Sequence, residues 1–151
     1  MTGKGSLNHN SRKFHAKNTD PNRTHWNVEY CNEDIKDVYH ELFDDALKRY
    51  NDKQTRKDRK IDDYYEKIRS GKQEKLFHEV ILQIGDKDNM GSETMEGQLA
   101  AKILDEYMKG FQERNPTLRV FAAHLHLDEA TPHLHIDFIP YVNDWKGKGM
   151  D

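Results

Sequence analysis

The sequence predicts a single α+β domain, in which a mainly antiparallel sheet carries a cluster of histidines on its central strands and helices flank the sheet. Three observations predict this class. Two long stretches place apolar residues three and four positions apart, as amphipathic helices do. One short run is rich in apolar and β-branched residues, and two later runs alternate apolar with polar residues, as strands do.

The composition is polar for a chain that must build a core. Of the 151 residues, 34% are hydrophobic and 34% are charged, so either the helices are heavily solvated or the chain belongs to a larger unit. Residues 1–26 and 53–60 each carry five Lys or Arg against one Asp, although the formal net charge of the chain is −3. Such segments attract a phosphate backbone, whereas most charged runs are simply solvated surface.

Cysteine content and hydrophobicity indicate the compartment. Cys31 is the only cysteine, which excludes an internal disulfide and is typical of a reducing environment. No run approaches the ~20 apolar residues of a membrane span, and the N-terminus lacks the apolar core of a signal peptide. We therefore expect a cytoplasmic protein with no membrane segment.

The first half of the chain predicts loops followed by helices. Residues 1–32 show no periodicity and are predicted as polar loops. Apolar residues at helical spacing then predict a helix from Glu33 to about Lys57, with acidic residues at its positive N-terminal end. A shorter helix is predicted around residues 62–69, ending near Gly71.

The next elements are a strand and a second long helix. The run Leu76–Ile84 predicts a central strand covered on both faces, because its middle is apolar. A helix is predicted to begin after Thr94 and to end before Pro116. The sequence after Tyr141 predicts no further element.

Between Leu118 and Tyr141 the pattern predicts an antiparallel hairpin whose turn includes Pro132. In the first strand one face is expected to carry Val120, Ala122, His124 and His126, and the other Phe121, Ala123, Leu125 and Leu127. In the second strand one face is expected to carry His133, His135 and Asp137, and the other Leu134, Ile136 and Phe138. His126 would then lie across from His133 or His135.

Three imidazoles are thus expected to converge, with the carboxylates of Asp128, Glu129 and Asp137 close by. Imidazole is a good ligand for divalent metals, and three protein ligands leave coordination positions open for catalysis. The alternative is that these histidines are polar residues on a solvated face of the hairpin. That interpretation would be preferred for a single histidine, but not for three that fall on the same face of the hairpin. His124 lies one pair further from the turn and is predicted to be a supporting or structural residue.

Only three strands are predicted, which is few for a stable sheet. We therefore expect residues 1–151 to form one partial domain, with further strands outside the chain.

Three motifs resemble those of a known family. HLDEATPHLH, from His126 to His135, is similar to the H-x-D-E-x-T-P-H-x-H metal motif of the Pre/Mob (MobV-type) plasmid recombination and mobilisation relaxases. Residues 8–12, NHNSR, look like the family's early H-N-x-R motif, and residues 22–27, NRTHWN, look like its N-x-R-x-H-x-N motif. The resemblance spans positions 8 to 135 and implies an HUH-endonuclease-like fold.

The resemblance implies metal-dependent, site- and strand-specific nicking at a plasmid transfer origin, with a covalent link to the 5′ side of the cut. It implies that His9 is the nucleophile and that Arg12 contacts a phosphate or the developing charge. Glu129 would orient or deprotonate the nucleophile, or contribute to the metal shell. A divalent metal, Mn or Mg, would be held by His126, His133 and His135.

The partner that the resemblance implies is plasmid DNA at the transfer origin, partly single-stranded. In the motif at residues 22–27, the residues that would contact the DNA are Arg23, His25, Trp26 and Asn27. Trp26 could stack on an unpaired base or simply pack in the core. A homodimer is possible through regions that this chain does not contain.

Two other functions remain open from the sequence. A tyrosine relaxase or replication initiator could use the same metal hairpin, with Tyr30, Tyr64 or Tyr65 as its nucleophile. Alternatively, the chain could bind an origin or promoter without cutting it.

Overall fold

The computed structural model of the chain describes residues 2–3 and 6–143, whose strands form one antiparallel sheet with helices on both faces. This confirms the predicted α+β class. The strands lie in the order β1-β3-β5-β4-β2, so that the hairpin strands β4 and β5 are near the centre. The five strands are β1 (Thr2–Gly3), β2 (Val28–Asn32), β3 (His78–Gln83), β4 (Leu118–His126) and β5 (His133–Pro140).

The helices differ greatly in length, from one turn to five. They are α1 (Leu7–Asn10), α2 (Ile35–Asp52), α3 (Tyr64–Ser70), α4 (Met95–Lys109) and α5 (Phe111–Arg114). Single 3₁₀ turns occupy Thr24–Trp26 and Lys57–Arg59. Among the described residues, no helix is long and apolar enough to cross a membrane.

The β4–β5 register places the histidines opposite one another. His126 pairs with His133, and His124 pairs with His135. A β-bulge between Val120 and Ala122 shifts the alternation by one residue, so the predicted faces are wrong for the two residues before Ala122. Val120 packs in the core on the face away from the histidines, and Phe121 packs beside Ala122.

The two faces of the sheet are covered differently. Helices α4 and α5 cover one face, where the buried core is Leu104, Met108, Phe111, Val120, Ala123, Leu125, Leu134 and Ile136. Helices α2 and α3 cover the far end of the other face, where the core is Val38, Tyr39, Ile68, Phe77, Phe121, Ala122 and Ile139. The near end of that second face carries the histidines and is crossed by the short α1, so the site lies where the long helices leave the sheet open.

The helix bounds show two corrections. Helix α2 ends at Asp52 instead of Lys57, because Tyr50 is the last residue of its apolar stripe and a charged stretch follows. The side chain of Asp34 caps its start by accepting from the Lys36 amide. Gly110 ends α4, so the helix predicted to run to Pro116 is in fact two helices.

The strands show two further corrections. The middle of β3 is half-buried, not covered on both faces, because its neighbour β1 has only two residues and part of one face opens on the histidine site. β1 and β2 both lie in the segment predicted as loop, so additional strands come from within the chain. The prediction of no element after Tyr141 falls mostly on residues 144–151, which lie outside the described residues.

Candidate metal site and nucleophile

Three histidines of the hairpin converge beside α1. One ring nitrogen from each of His126, His133 and His135 lies within 4.8 Å of the others, and all three side chains are buried. His126 comes from the end of β4, whereas His133 and His135 come from the same face of β5 because two positions separate them. The convergence predicted from the sequence is therefore present.

In each ring one nitrogen, here called the outer nitrogen, points away from the other two histidines and lies close to a hydrogen-bond acceptor. The other, inner nitrogen points toward the cluster. The Nε2 of His126 lies 2.8 Å from the Asn10 carbonyl oxygen, and the Nδ1 of His133 lies 2.9 Å from the Thr131 carbonyl oxygen. The Nδ1 of His135 lies 2.8 Å from Oε1 of Glu79. Carbonyl and carboxylate oxygens only accept hydrogen bonds, so we assign the ring hydrogen to the outer nitrogen in each case.

The inner nitrogens are consequently left with lone pairs. Nδ1 of His126 and Nε2 of His133 face each other at 3.3 Å, although neither carries a hydrogen in this assignment. Nε2 of His135 is buried and has no hydrogen-bond partner among the described residues. Burial lowers the pKa of His126 to about 2 and also lowers that of His133, so these two rings are neutral at pH 7. Neutral imidazoles with lone pairs turned inward fit a divalent metal.

His9 lies on α1 at the edge of this cluster. Its ring centroid is 6.0 Å from that of His126, and its Nε2 is 3.2 Å from Nη1 of Arg12 and 3.4 Å from Oε1 of Glu129. Burial, and then the charge of Arg12, lower the pKa of His9, so its ring is neutral at pH 7. Its side chain is 23% exposed, which leaves it accessible to a substrate.

Arg12 is placed by an unusual turn. After α1 the Lys13 amide donates to the Asn8 carbonyl and the Arg12 amide to the His9 carbonyl, the two bonds of a Schellman motif. Arg12 occupies the left-handed position of this motif with φ 52°, where glycine is usual. The backbone therefore bends so that the Arg12 side chain returns toward His9.

The guanidinium of Arg12 is occupied by protein groups. Nε donates to Asp128 Oδ2 at 3.0 Å, Nη2 donates to the other Asp128 oxygen, and Nη2 also donates to Glu129 Oε1 at 2.8 Å. Its side chain is 7% exposed. In this structure Arg12 therefore ties α1 to the hairpin turn. The contact of Arg12 with a phosphate or the developing charge, which the resemblance implies, stays a prediction.

Glu129 is held in a fixed orientation between His9 and an exposed loop. Besides its bond from Arg12, it accepts a hydrogen bond from Nδ2 of Asn18 at 2.7 Å. His9, Asn18, Glu129, His133 and His135 share the wall of one open cleft of about 310 Å³. The predicted nucleophile, the predicted acid–base residue and two predicted metal ligands thus face the same space.

The structure does not bring the other predicted DNA-binding residues into this cleft. Trp26 is 41% exposed, so its alternative interpretation as a core residue is wrong, and His25 beside it is also exposed. Arg23 pairs with Asp20 at 3.1 Å. The amide oxygen of Asn27 accepts from the backbone amides of residues 127 and 128, so that Asn27 supports the hairpin turn.

His124 stands apart from the three converging histidines. Its Nε2 lies 3.2 Å from Glu29 Oε2 on the neighbouring strand β2, and burial lowers its pKa. The supporting or structural role expected from its greater distance from the turn stays a prediction.

Two residues of the site were not recognised from the sequence, Asn10 and Glu79. Glu79 is buried on β3 opposite Asp137, and Asn10 donates to both carboxyl groups. Burial alone would raise the pKa of Glu79, but hydrogen bonds from His135 and Asn10 lower it. Burial and the neighbouring Glu79 raise the pKa of Asp137 to about 7. The available signal was a charged residue within an otherwise apolar strand.

The three candidate tyrosines lie elsewhere. Tyr30 packs against the core on the α4 face and donates to Asp105 at 2.7 Å. Tyr64 and Tyr65 belong to an aromatic cluster with Tyr39 of α2. None of the three contacts a histidine of the cluster in the described part of the chain.

Comparison with known proteins gives one family and one set of structures. The family model for the plasmid recombination enzyme, Mob_Pre, matches residues 4–150. No curated protein sequence matches the chain. The Mn-bound crystal structure, at pH 5.5, of the MobM relaxase domain (MOBV; Mob_Pre) with 22-nucleotide oriT DNA of plasmid pMV158 is 27% identical, with a TM-score of 0.55.

A second Mn-bound MobM structure, at pH 6.8 and with a 3′-thiophosphate on the DNA, is 25% identical, with a TM-score of 0.51. Each of these matches covers 94% of this chain and 66% of the MobM chain. The chain therefore spans just under two thirds of the length of the relaxase domain that it resembles.

Proposed function

The chain belongs to the plasmid recombination enzyme family, and from this membership we propose that it is a metal-dependent relaxase that nicks one strand of plasmid DNA at a transfer origin. One observation carries the proposal: neutral His9 shares a cleft with His133 and His135, two of the three converging imidazoles whose free nitrogens point inward. The structures of MobM with oriT DNA and Mn support the same substrate and cofactor.

His126, His133 and His135 would hold the metal through their inner nitrogens. Mn²⁺ suits this set better than Mg²⁺, because Mg²⁺ prefers oxygen ligands and keeps most of its waters. When bound, the ion would act as a Lewis acid on the non-bridging oxygens of the scissile phosphate. Glu79, Thr131 and Asn10 would keep the rings oriented toward it.

His9 is the proposed nucleophile. A ring nitrogen attacks phosphorus, the N–P bond forms, and the bond from phosphorus to the 3′ oxygen breaks. The hydrogen on the ring nitrogen that does not attack passes to Glu129, whose Oε1 lies 3.4 Å from Nε2 of His9. The 3′ oxygen takes a proton from solvent. The products are a free 3′ hydroxyl and a 5′ phosphate joined to His9. The lowered pKa of His9 favours this step, because only the neutral ring can attack.

We propose that Arg12 acts as a positioning residue in this reaction. Its bonds to Asp128 and Glu129 fix the distance between His9 and the proton acceptor. Exposed Trp26 and His25 would stack on unpaired bases outside the cleft, with Arg23 near the phosphate backbone. Asn27 would contribute by holding the turn from which Asp128 extends.

The test is formation of a covalent protein–DNA adduct. The chain is incubated with Mn²⁺ and supercoiled DNA that carries its own gene neighbourhood, and the products are separated on a denaturing gel. The parent is expected to nick the DNA and to form an adduct, whereas His9→Ala is expected to form neither, with a loss of at least ~100-fold. His15→Ala, which alters an exposed histidine nearby, is the matched control and should react like the parent.

Two results would contradict the proposal. An adduct that persists in His9→Ala would place the nucleophile elsewhere. No nick and no adduct, in a folded sample that binds Mn²⁺ and the DNA, would favour a module that binds DNA without cutting it.

A further inference from the structure

We infer that Asn10 is a positioning residue, which fixes two of the metal ligands and the nucleophile helix in one arrangement. The inference rests on the proposed function, because it concerns the same histidine site. Asn10 does not line the cleft, and its carbonyl oxygen and side chain form hydrogen bonds with His126, Glu79 and Asp137.

The backbone of Asn10 sets the orientation of one ligand. Its carbonyl oxygen accepts from Nε2 of His126 at 2.8 Å, which leaves Nδ1 of that ring turned toward the other histidines. Because His9 directly precedes Asn10 in α1, a displacement of this turn would move the nucleophile and release the His126 ring together.

The side chain of Asn10 reaches a second ligand through Glu79. Nδ2 donates to Glu79 Oε1 at 2.8 Å and to Asp137 Oδ2 at 3.1 Å, which uses both of its hydrogens. The same Glu79 oxygen accepts from Nδ1 of His135 at 2.8 Å. Asn10 therefore holds the carboxylate that in turn orients the His135 ring.

The chemistry of this position favours an amide. Glu79 and Asp137 face each other across β3 and β5, and both are buried, as is Asn10 at 1% exposure. A neutral group with two hydrogens can satisfy both carboxyl groups, whereas aspartate would add a third carboxyl group and alanine would leave both without this donor. Since α1 is a single turn, this buried bond and the Arg12 ion pairs hold it in place.

The test measures metal affinity, which does not depend on nicking. Mn²⁺ binding to the full chain is measured by calorimetry for the parent and for Asn10→Asp, and the affinity is expected to fall 10–100-fold. The double variant Asn10→Asp/Asp137→Asn exchanges the amide and one carboxyl group, and it should recover at least part of the loss. Leu104→Ala, in the core on the opposite face, controls for general destabilisation and should bind Mn²⁺ within about twofold of the parent.

A measurement on the parent makes the inference independent of how the variants fold. Nitrogen NMR of the metal-free parent should show the hydrogen on Nε2 of His126 and on Nδ1 of His135. The opposite tautomer at His126, or an Asn10→Asp variant that binds Mn²⁺ as tightly as the parent, would overturn the inference. If Mn²⁺ binding depends on Asn10 but no DNA is cut, the proposed function fails and the inference stands.

Discussion

At the scale of single residues, the site depends on a few buried charges that hold a one-turn helix against a hairpin turn. Arg12 and Asp128 form the closest of these pairs, with side chains 7% and 0% exposed. Breaking a buried pair costs more than breaking an exposed one, because the remaining charge stays out of water. Two predictions concern this pair.

The first prediction concerns the left-handed backbone at Arg12. Both Arg12→Ala and Arg12→Gly remove the ion pairs and should lower the free energy of unfolding by about 3–5 kcal/mol. Arg12→Gly should nevertheless be more stable than Arg12→Ala by about 1 kcal/mol, because glycine adopts a φ of 52° without strain. Urea unfolding measures the difference.

The same pair of substitutions at Arg23 is the control. Arg23 has φ −103°, so alanine there should be the more stable of the two. Equal stability of the two Arg12 variants would argue against the left-handed turn.

The second prediction is a pH dependence. Burial alone would raise the pKa of Asp128, but hydrogen bonds from Arg12 lower it from 3.8 to about 2. The stability that ionised Asp128 contributes is therefore present above pH 3.8 and is lost as the pH falls toward 2. Asp128→Asn should be about 3 kcal/mol less stable than the parent at pH 6, and most of this difference should disappear by pH 2.5.

Unfolding midpoints at the two pH values test this. Asp58→Asn removes an exposed pair with Arg56 and should change stability by less than ~0.5 kcal/mol at both. If Asp128→Asn is as much less stable than the parent at pH 2.5 as at pH 6, the ion pair between Asp128 and Arg12 does not contribute as described.

At the scale of elements, α4 depends on a close approach to the loop before it. A methyl group on Gly97 would overlap with the Gly91 carbonyl oxygen. Alanine usually stabilises a helix interior relative to glycine by about 0.5–1 kcal/mol. Gly97→Ala should instead destabilise the protein by about 1–3 kcal/mol in urea unfolding, because backbone must move.

Gly110→Ala is the matched control for that prediction. Its added methyl group would meet only the end of the flexible Arg114 side chain, and its φ of −96° suits alanine. The change in stability should stay within about 0.5 kcal/mol. Equal effects of the two substitutions would contradict the close approach at Gly97.

The elements also show which features a sequence pattern can predict. The hairpin was predictable because its alternation is local, so the pairing of His126 with His133 followed from the turn. The bulge at Val120 had no local signal and exchanged two side chains between faces. Strand β2 and helix α1 are short and polar, and tertiary contacts hold them in place.

Some residues of the candidate site could likewise be predicted from the sequence, and others could not. The alternation of the hairpin predicted the three converging histidines, whereas His9 was identified only through the resemblance. Asn10 and Glu79 remained unrecognised because their partnership joins residues 69 positions apart in the sequence, and it appears only when α1 lies on the sheet.

At the scale of the whole molecule, a metal held by the central hairpin should stabilise the entire fold. A ligand that binds only the folded state adds about 2.7 kcal/mol at a concentration of 100 Kd. Mn²⁺ should therefore raise the thermal unfolding midpoint of the parent, and a chelator should reverse the shift. His135→Ala should lose most of the shift, because it removes one of the three proposed ligands.

His124→Ala is the control, since it removes a buried histidine that faces Glu29 on β2. Without metal, the thermal unfolding midpoint of His124→Ala should be lower than that of the parent. Mn²⁺ should still raise this midpoint by about as much as it does in the parent. An equal loss of the shift in both variants would contradict the assignment of the three ligands.

The central claim is that His9 becomes covalently joined to DNA, and peptide mapping of the adduct tests it most directly. The adduct formed with Mn²⁺ is digested with protease and nuclease at neutral to mildly alkaline pH, because a phosphoramidate is labile in acid. Mass spectrometry then locates the residue that carries the nucleotide. We predict a phosphate-linked nucleotide on His9. A nucleotide on Tyr30, Tyr64 or Tyr65, or on any residue other than His9, would contradict it.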